Sequence, residues 1–164
     1  MTGTTGILPD LDPTWAATIM ARTDTAKDAM GVEIVELERG RAVLAMTVRD
    51  EMANGFGITH GGFVFALADT AFAYACNEDD RVTVASGADI TFARASHVGT
   101  RLTATAERRW RSGRNGLYDV RVADESDAVV AEFRGRSFTT DRPLPEVPGL
   151  EAAGLAVDDT PVDT

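Results

Sequence analysis

The sequence predicts an α+β fold in which a long central helix is wrapped by a curved antiparallel sheet of five to six strands. Three observations predict it: a long apolar run at residues 62–76, two strand-like segments before it, and four strand-like segments after it. A helix that is apolar on every side must be buried, and a sheet that curls around it covers all of its faces. The edges of such a sheet favour pairing between subunits, so we expect at least a dimer.

The chain has 164 residues, which is enough for one folded domain with a substantial core. We expect residues 13–140 to form that domain. Residues 1–12 read as a flexible N-terminal segment, and residues 141–164 read as a flexible, acidic tail that contains several prolines.

The elements flank the apolar run on both sides. Helical spacing of apolar residues predicts a short helix between residues 13 and 29, with Asp12 available as its cap. Apolar residues at 32–37 and 42–48 predict two strands joined around Arg39 and Gly40. The run at 63–76 is longer than an ordinary strand and contains five alanines, which favours a helix. Four further strands are expected at residues 83–94, 101–111, 116–123 and 129–139.

The charge pattern narrows the class of partner. The formal net charge of -10 argues against a nucleic-acid partner, because phosphates are bound by clustered positive charge. Nine of the sixteen Lys and Arg residues are arginines between Arg94 and Arg136. For that region both a small anionic ligand and a merely solvated strand face stay open.

Cysteine and histidine are scarce. Cys76 is the only cysteine, so no intramolecular disulfide can form, and no segment has the pattern of a signal peptide or a membrane span. We therefore expect a cytoplasmic protein with no membrane partner. One cysteine and two histidines without close spacing support no metal site. His97, in a turn, is interpreted as a solvated loop residue.

Asp69 is the one carboxylate within the apolar run. An unpaired ionised carboxylate is strongly disfavoured in an apolar interior, and buried carboxylates with perturbed pKa values are candidates for chemistry. The alternative is that Asp69 only completes a buried polar network. We expect Asp69 to be functional.

A glycine-rich loop at residues 54–62 leads into the helix and carries His60 and exposed backbone N–H groups to its start. Helix N-termini attract negative charge, although loop closure alone also explains such glycines. If the helix begins near Gly61, Asp69 lies eight residues further on, about 12 Å along the axis. One protomer's Asp69 and His60 are then too far apart to act on one atom, whereas a site at a two-fold interface removes the difficulty.

A family resemblance rests on Asn54-Gly55, on His60-Gly61-Gly62 and on residues 67–77, and it continues through residues 85–86, 90–94 and 133–137. Together these segments resemble the hotdog-fold acyl-CoA thioesterases, most closely the phenylacetic acid degradation group. The resemblance covers about residues 31–139. It implies a long helix wrapped by an antiparallel sheet, dimers that pair their sheets, and commonly a dimer of dimers, hence a homotetramer.

The resemblance also implies roles for the site residues. Asp69 would act as general base on water or as nucleophile on the thioester carbonyl, and the Gly61 N–H would bind the developing oxyanion. His60 and Asn54 would position or polarise the thioester, and Thr70 would orient water. The expected substrate-binding residues are Gly62 and, as contacts for the coenzyme A phosphates, Arg111, Arg114 and Arg136. The first interpretation of the segment at 111–116 is a glycine turn between strands.

One position departs from the family pattern. Members of this family often have Arg-Pro after the third strand, whereas this chain has Arg94-Ala95. Because proline stiffens the backbone, its absence predicts a looser loop at this point, without consequence for catalysis.

The predicted function is hydrolysis of an acyl-CoA, of the phenylacetyl-CoA or hydroxyphenylacetyl-CoA type, to the free acid and coenzyme A without a cofactor. The first alternative, a non-catalytic acyl-CoA-binding hotdog module, has little use for a costly carboxylate at Asp69. The second, a hotdog dehydratase, would need a histidine paired with an acid. The exact acyl group, and the choice between dimer and tetramer, stay open.

Overall fold

The computed structural model describes residues 15–144. The helices are α1 (Trp15–Thr23), α2 (Thr25–Met30) and α3 (Gly61–Cys76), with a short 3-10 turn at Asp50–Met52. The strands are β1 (Glu33–Glu38), β2 (Arg41–Thr47), β3 (Arg81–Phe92), β4 (Arg101–Ser112), β5 (Asn115–Ala123) and β6 (Val129–Pro143). The predictions for residues 1–12, for the cap at Asp12 and for residues 145–164 fall outside the described residues.

The six strands form one antiparallel sheet in the order β1-β2-β4-β5-β6-β3. Helix α3 packs on one face of it, mainly against β2, β4 and β5. The core between them contains fully buried side chains from both layers, among them Leu44, Leu67, Phe72 and Val120. The predicted α+β architecture, a long helix against an antiparallel sheet, is confirmed, and the sheet has six strands.

Three details differ from expectation. The helix predicted at 13–29 is two helices, because Asp24 interrupts it and accepts a hydrogen bond from the Lys27 N–H (2.9 Å), which starts α2. Strand β6 runs to Pro143, past the predicted domain end at 140. The prediction that the sheet covers every face of α3 is wrong for the single chain, because the sheet contacts the helix from one side.

The uncovered side of α3 is called the helix stripe. Its members recur three or four residues apart and are exposed or half-buried: Gly62, Phe65, Ala66, Asp69, Thr70 and Ala73. Residues at this spacing share one face of a helix. Asp69 therefore lies on the one face of α3 that the rest of its own chain does not cover.

Gly135 lets β6 approach α3 closely. A Cβ atom at Gly135 would lie 2.8 Å from three ring atoms of Phe72, which is 1% exposed and packs against the rings of Tyr118 and Phe133. A methyl group there has no space unless the buried ring moves. The small residue is thus required by packing.

We expect Gly135→Ala to lower the free energy of unfolding by about 1 to 3 kcal/mol, the usual cost of overpacking a core. Urea denaturation measures it. Gly55→Ala is the matched control, because a Cβ at Gly55 meets nothing within 4 Å. An unchanged urea midpoint for Gly135→Ala would contradict the prediction.

The C-terminal end of α3 holds a buried ion cluster. The Glu78 side chain is fully buried, accepts a hydrogen bond from the Tyr118 hydroxyl (2.6 Å) and forms an ion pair with Arg108. The Nε atom of Arg39 lies 3.6 Å from Glu78 Oε2. Asn77, also buried, donates to the carbonyls of Ala73 and Thr83, both at 2.9 Å. These contacts join the helix end to three strands.

Candidate active site

The loop before α3 is shaped by Asn54. Its side-chain oxygen accepts hydrogen bonds from the N–H groups of Phe56 (2.9 Å) and Ile58 (3.4 Å). Its backbone N–H donates to the Ile58 carbonyl (2.8 Å), and its carbonyl accepts from Gly57 (2.9 Å), where φ is +74°. The Asn54 oxygen is thus committed to the loop, which leaves its amide NH₂ as the group free to face a ligand.

His60 is the N-cap of α3. Its Nδ1 accepts a hydrogen bond from the Gly62 N–H at 2.9 Å, so this nitrogen carries no proton in the structure. Among the described residues the N–H of Gly61 has no hydrogen-bond partner. An unpaired N–H at a helix start adds to the positive end of the helix dipole. The two glycines of the motif therefore differ: Gly62 is bonded within the chain, and Gly61 is not.

We expect His60→Ala to destabilise the fold by about 1 kcal/mol, because the Gly62 N–H would lose its cap. His60→Asn is the matched control, since an asparagine oxygen can accept the same bond. Thermal unfolding of both variants checks the prediction. Equal stability of His60→Ala and wild type would show that the cap contributes nothing.

A cavity of about 330 Å³ lies beside the start of α3. Its lining combines apolar and polar side chains with the backbone of Gly61, and includes Asn54, Ile58, Thr59, Val64, Phe92, Arg94, Ser96 and Val130. A mostly apolar pocket with a few convergent polar groups is the usual form of a small-molecule site.

The loop after β3 closes one side of this cavity and is held by hydrogen bonds. The N–H groups of Ala93 and Arg94 both donate to the Val130 carbonyl (2.9 and 3.2 Å), and the buried Ser96 hydroxyl donates to Thr59 Oγ1 (2.7 Å). These bonds tie the backbone on both sides of Ala95, and the looser loop at Arg94-Ala95 stays a prediction.

Asp69 lies half-buried on the helix stripe, and burial raises the pKa of its carboxyl above the ordinary value. It does not line the cavity of its own chain, as expected from about 12 Å of helix between it and Gly61. Its neighbour Thr70 donates its hydroxyl proton to the Ala66 carbonyl (2.7 Å). Thr70 can therefore only accept a hydrogen bond from water.

The three arginines predicted to bind phosphate are each ion-paired within the chain. Their partners are Asp79 for Arg111, Asp141 for Arg114 and Asp89 for Arg136. None of the three lines the cavity. The structure thus brings Asn54 and Gly61 together in the cavity lining. His60 precedes Gly61 but does not line the cavity, and the predicted phosphate contacts lie apart from it.

Most of the lining is absent from the sequence prediction, which named only Asn54 and Gly61 of it. Among the residues it did not name, Phe92 ends β3 and Arg94 follows, and Arg94 has no ion pair within 4.0 Å among residues 15–144. Their sequence signal is that both belong to residues 90–94, one of the segments that carry the family resemblance. His97 is exposed, with Nδ1 3.4 Å from the Gly57 carbonyl oxygen, as expected for a loop histidine.

Comparison with known proteins gives the family. The thioesterase superfamily model matches residues 56–131. The acyl-coenzyme A thioesterase PaaI of Escherichia coli (strain K12) is 43% identical over 118 residues, which cover 72% of this chain and 84% of that relative. The chain belongs to the thioesterase superfamily. The resemblance deduced from the motifs is therefore confirmed.

The solved structure of the same relative and one further relative agree with this family. The solved structure of the E. coli PaaI protein, from the phenylacetic acid degradation operon, matches with a TM-score of 0.78 at 40% identity over 80% of this chain and 96% of that one. A 1,4-dihydroxy-2-naphthoyl-CoA hydrolase of Listeria monocytogenes is 27% identical over 113 residues, covering 66% of this chain and 89% of the relative. The hotdog fold is confirmed.

Within residues 15–144, no helix has the length and apolar character needed to cross a bilayer. In the same residues no three or more His, Cys, Asp or Glu side chains are grouped as they would be around a metal ion.

Proposed function

We propose that this thioesterase-superfamily protein hydrolyses an aryl or arylacetyl thioester of coenzyme A to the free acid and coenzyme A. The observation that carries the proposal is the Gly61 N–H, which has no partner among the described residues and stands at a helix start beside a largely apolar cavity. Such a donor suits the oxyanion of a tetrahedral intermediate. No cofactor is needed, because coenzyme A enters as part of the substrate.

Asp69 supplies the base in the proposed mechanism. Its carboxylate removes a proton from water as the water oxygen attacks the thioester carbonyl carbon. The carbonyl oxygen becomes negative and accepts a hydrogen bond from Gly61, and the intermediate then collapses by breaking the carbon–sulfur bond. The thiolate takes up the proton that Asp69 holds and leaves as coenzyme A, which restores the carboxylate. Attack by Asp69 itself, followed by hydrolysis of the anhydride, is the variant of this route.

The two groups come from different protomers in this proposal. Among residues 15–144, strand β3 pairs only with β6, so its other edge is available to a second copy. The helix stripe, which includes Asp69, is likewise uncovered. A two-fold dimer joined along β3 would place Asp69 of one protomer near Gly61 of its partner. Assembly of two dimers into a tetramer, and a cytoplasmic location, remain predictions.

The aryl substrate is supported by the relatives. The E. coli protein is named as an acyl-coenzyme A thioesterase, and its solved structure is described as coming from the phenylacetic acid degradation operon. The Listeria relative is named as a hydrolase of an aryl-CoA thioester. For Arg111, Arg114 and Arg136 to bind the nucleotide phosphates, as proposed, a phosphate would have to displace the aspartate that each one pairs with. The dehydratase alternative needs a histidine paired with an acid, whereas the His60 Nδ1 pairs with the Gly62 N–H and not with a carboxylate.

Release of free coenzyme A thiol tests the function. We expect turnover of phenylacetyl-CoA and hydroxyphenylacetyl-CoA, with lower kcat/KM for straight-chain acyl-CoAs. Saturable binding without thiol release would favour the binding module. Reversible hydration of an enoyl-CoA without thiol release would favour the dehydratase.

Mixed dimers test the shared site. Gly61→Pro removes the N–H at a position where proline fits a helix start, and we expect it to lower kcat about 10²- to 10³-fold relative to Gly61→Ala, which keeps the N–H. When Gly61→Pro and Asp69→Asn are co-expressed in equal amounts, half of the dimers contain one copy of each variant. Each of these mixed dimers retains one intact site. Activity should return to about a quarter of the wild-type value. No recovery would place both groups in one protomer.

A further inference from the structure

Phe92 sits at the junction of β3, α3 and the cavity. It is the last residue of β3 and shares a strand face with Ile90, which packs against the core. A Cβ atom at Gly61 would lie 3.0 Å from Cζ of the Phe92 ring and 3.3 Å from its Cε1. The ring nevertheless remains 53% exposed. One part of it thus rests against the helix start, and the remainder is open.

The backbone that carries this ring is fixed on both sides. Phe92 pairs with Ala131 in the β3–β6 ladder, and the next two N–H groups, of Ala93 and Arg94, donate to the Val130 carbonyl. A side chain with two rotatable bonds on a fixed backbone loses little freedom when a ligand packs against it. The ring is therefore a preorganised surface rather than a mobile loop residue.

The surroundings of the ring indicate what it contacts. Ile58, Val64 and Val130 line the same cavity, and among the described residues Phe92 is the only aromatic one in the lining. The ring stands where a side chain at Gly61 would begin, next to the N–H proposed to bind the thioester oxygen. Of the two groups on that carbonyl carbon, the acyl group suits this apolar lining better than the polar coenzyme A does.

We propose that Phe92 is the residue that sets acyl specificity, its ring forming an aromatic wall that favours planar acyl groups over flexible straight chains. Aromatic groups pair in offset-stacked or edge-to-face arrangements and gain energy beyond the apolar area that they bury. A straight chain gains only the burial. This inference rests on the proposed thioesterase function and deepens it, because it assigns the preference for aryl substrates to one side chain.

The test compares kcat/KM for phenylacetyl-CoA with kcat/KM for hexanoyl-CoA in wild type, Phe92→Leu and Phe92→Tyr. Leucine keeps an apolar wall without the ring, so we expect the phenylacetyl to hexanoyl ratio to fall about 2- to 13-fold, the range of an aromatic pair. Tyrosine keeps the ring and should retain the ratio. Phe138→Leu is the matched control, because Phe138 is another partly exposed phenylalanine, at 38%, and does not line the cavity.

The outcomes separate this inference from the function on which it rests. A wild type that releases no thiol from any acyl-CoA would defeat the proposed function. A wild type that is active, with an unchanged ratio in Phe92→Leu, would defeat only the role of Phe92. An equal loss on both substrates, or dissociation of Phe92→Leu subunits in light scattering, would overturn the inference too, because the ring would then support the fold or the interface.

Discussion

Asp69→Asn is expected to lower kcat for thioester hydrolysis by about 10²- to 10⁴-fold, the usual contribution of a positioned general base. Asparagine matches aspartate in size but cannot accept a proton from water. Steady-state release of coenzyme A thiol measures the loss. Asp80→Asn is the matched control, since Asp80 follows α3 at its far end and is exposed. Near-normal activity in Asp69→Asn would remove the carboxylate from the mechanism.

The pH dependence of this activity follows from the same carboxyl. Burial raises the pKa of Asp69, and the base must be ionised, so kcat/KM should fall as pH drops through a value above the ordinary carboxyl pKa of about 4. The residual kcat/KM of Asp69→Asn should not show this fall at low pH. A wild-type profile that is flat down to the ordinary carboxyl range would contradict the assignment.

Ionisation of Asp69 should change the free energy of unfolding with pH in the direction opposite to its effect on activity. Because its pKa is raised in the folded state, the folded protein binds more protons than the unfolded chain between the two pKa values, and stability falls as pH rises through that window. At neutral pH we therefore expect Asp69→Asn to be at least as stable as wild type in urea. The expected loss of activity then cannot be attributed to unfolding.

Glu78→Ala is expected to have the largest effect on stability, about 3 kcal/mol. The substitution leaves the Tyr118 hydroxyl and the Arg108 guanidinium without the buried acceptor that they share. The Arg108 side chain is 34% exposed and reaches water, which keeps the loss at the lower end of the range for broken buried pairs. The urea midpoint measures the change.

Two variants control this measurement. Glu33→Ala removes a carboxylate that pairs with Arg101 and is 63% exposed. This substitution should leave the urea midpoint unchanged. Glu78→Gln keeps an acceptor for the Tyr118 hydroxyl, so it should lower the free energy of unfolding less than Glu78→Ala does. Glu78 lies about 24 Å along α3 from Gly61, so folded Glu78→Ala should keep the wild-type kcat. A stable Glu78→Ala protein would show that the cluster adds nothing to folding.

The amino-acid sequence by itself determined the elements around the site. The length and alanine content of the run at 63–76 indicate a helix, alternation and turn glycines indicate the strands, and the His60-Gly61-Gly62 motif indicates where the helix begins. These signals are local, because they depend on residues a few positions apart. The one clear local failure, at Asp24, arose because a capping carboxylate within a helical pattern ended one helix and started the next.

Only the tertiary structure decided how the site groups are used. The β3–β6 register sets Asp89 opposite Arg134, and Arg136, two residues further along β6, reaches Asp89 diagonally across 47 positions of the chain. The ring of Phe92 reaches Gly61 because β3 lies at the edge of the sheet next to the helix start, and Gly135 is needed because β6 crosses beneath Phe72. Such contacts arise between residues distant in sequence, where neither spacing nor composition specifies the partner.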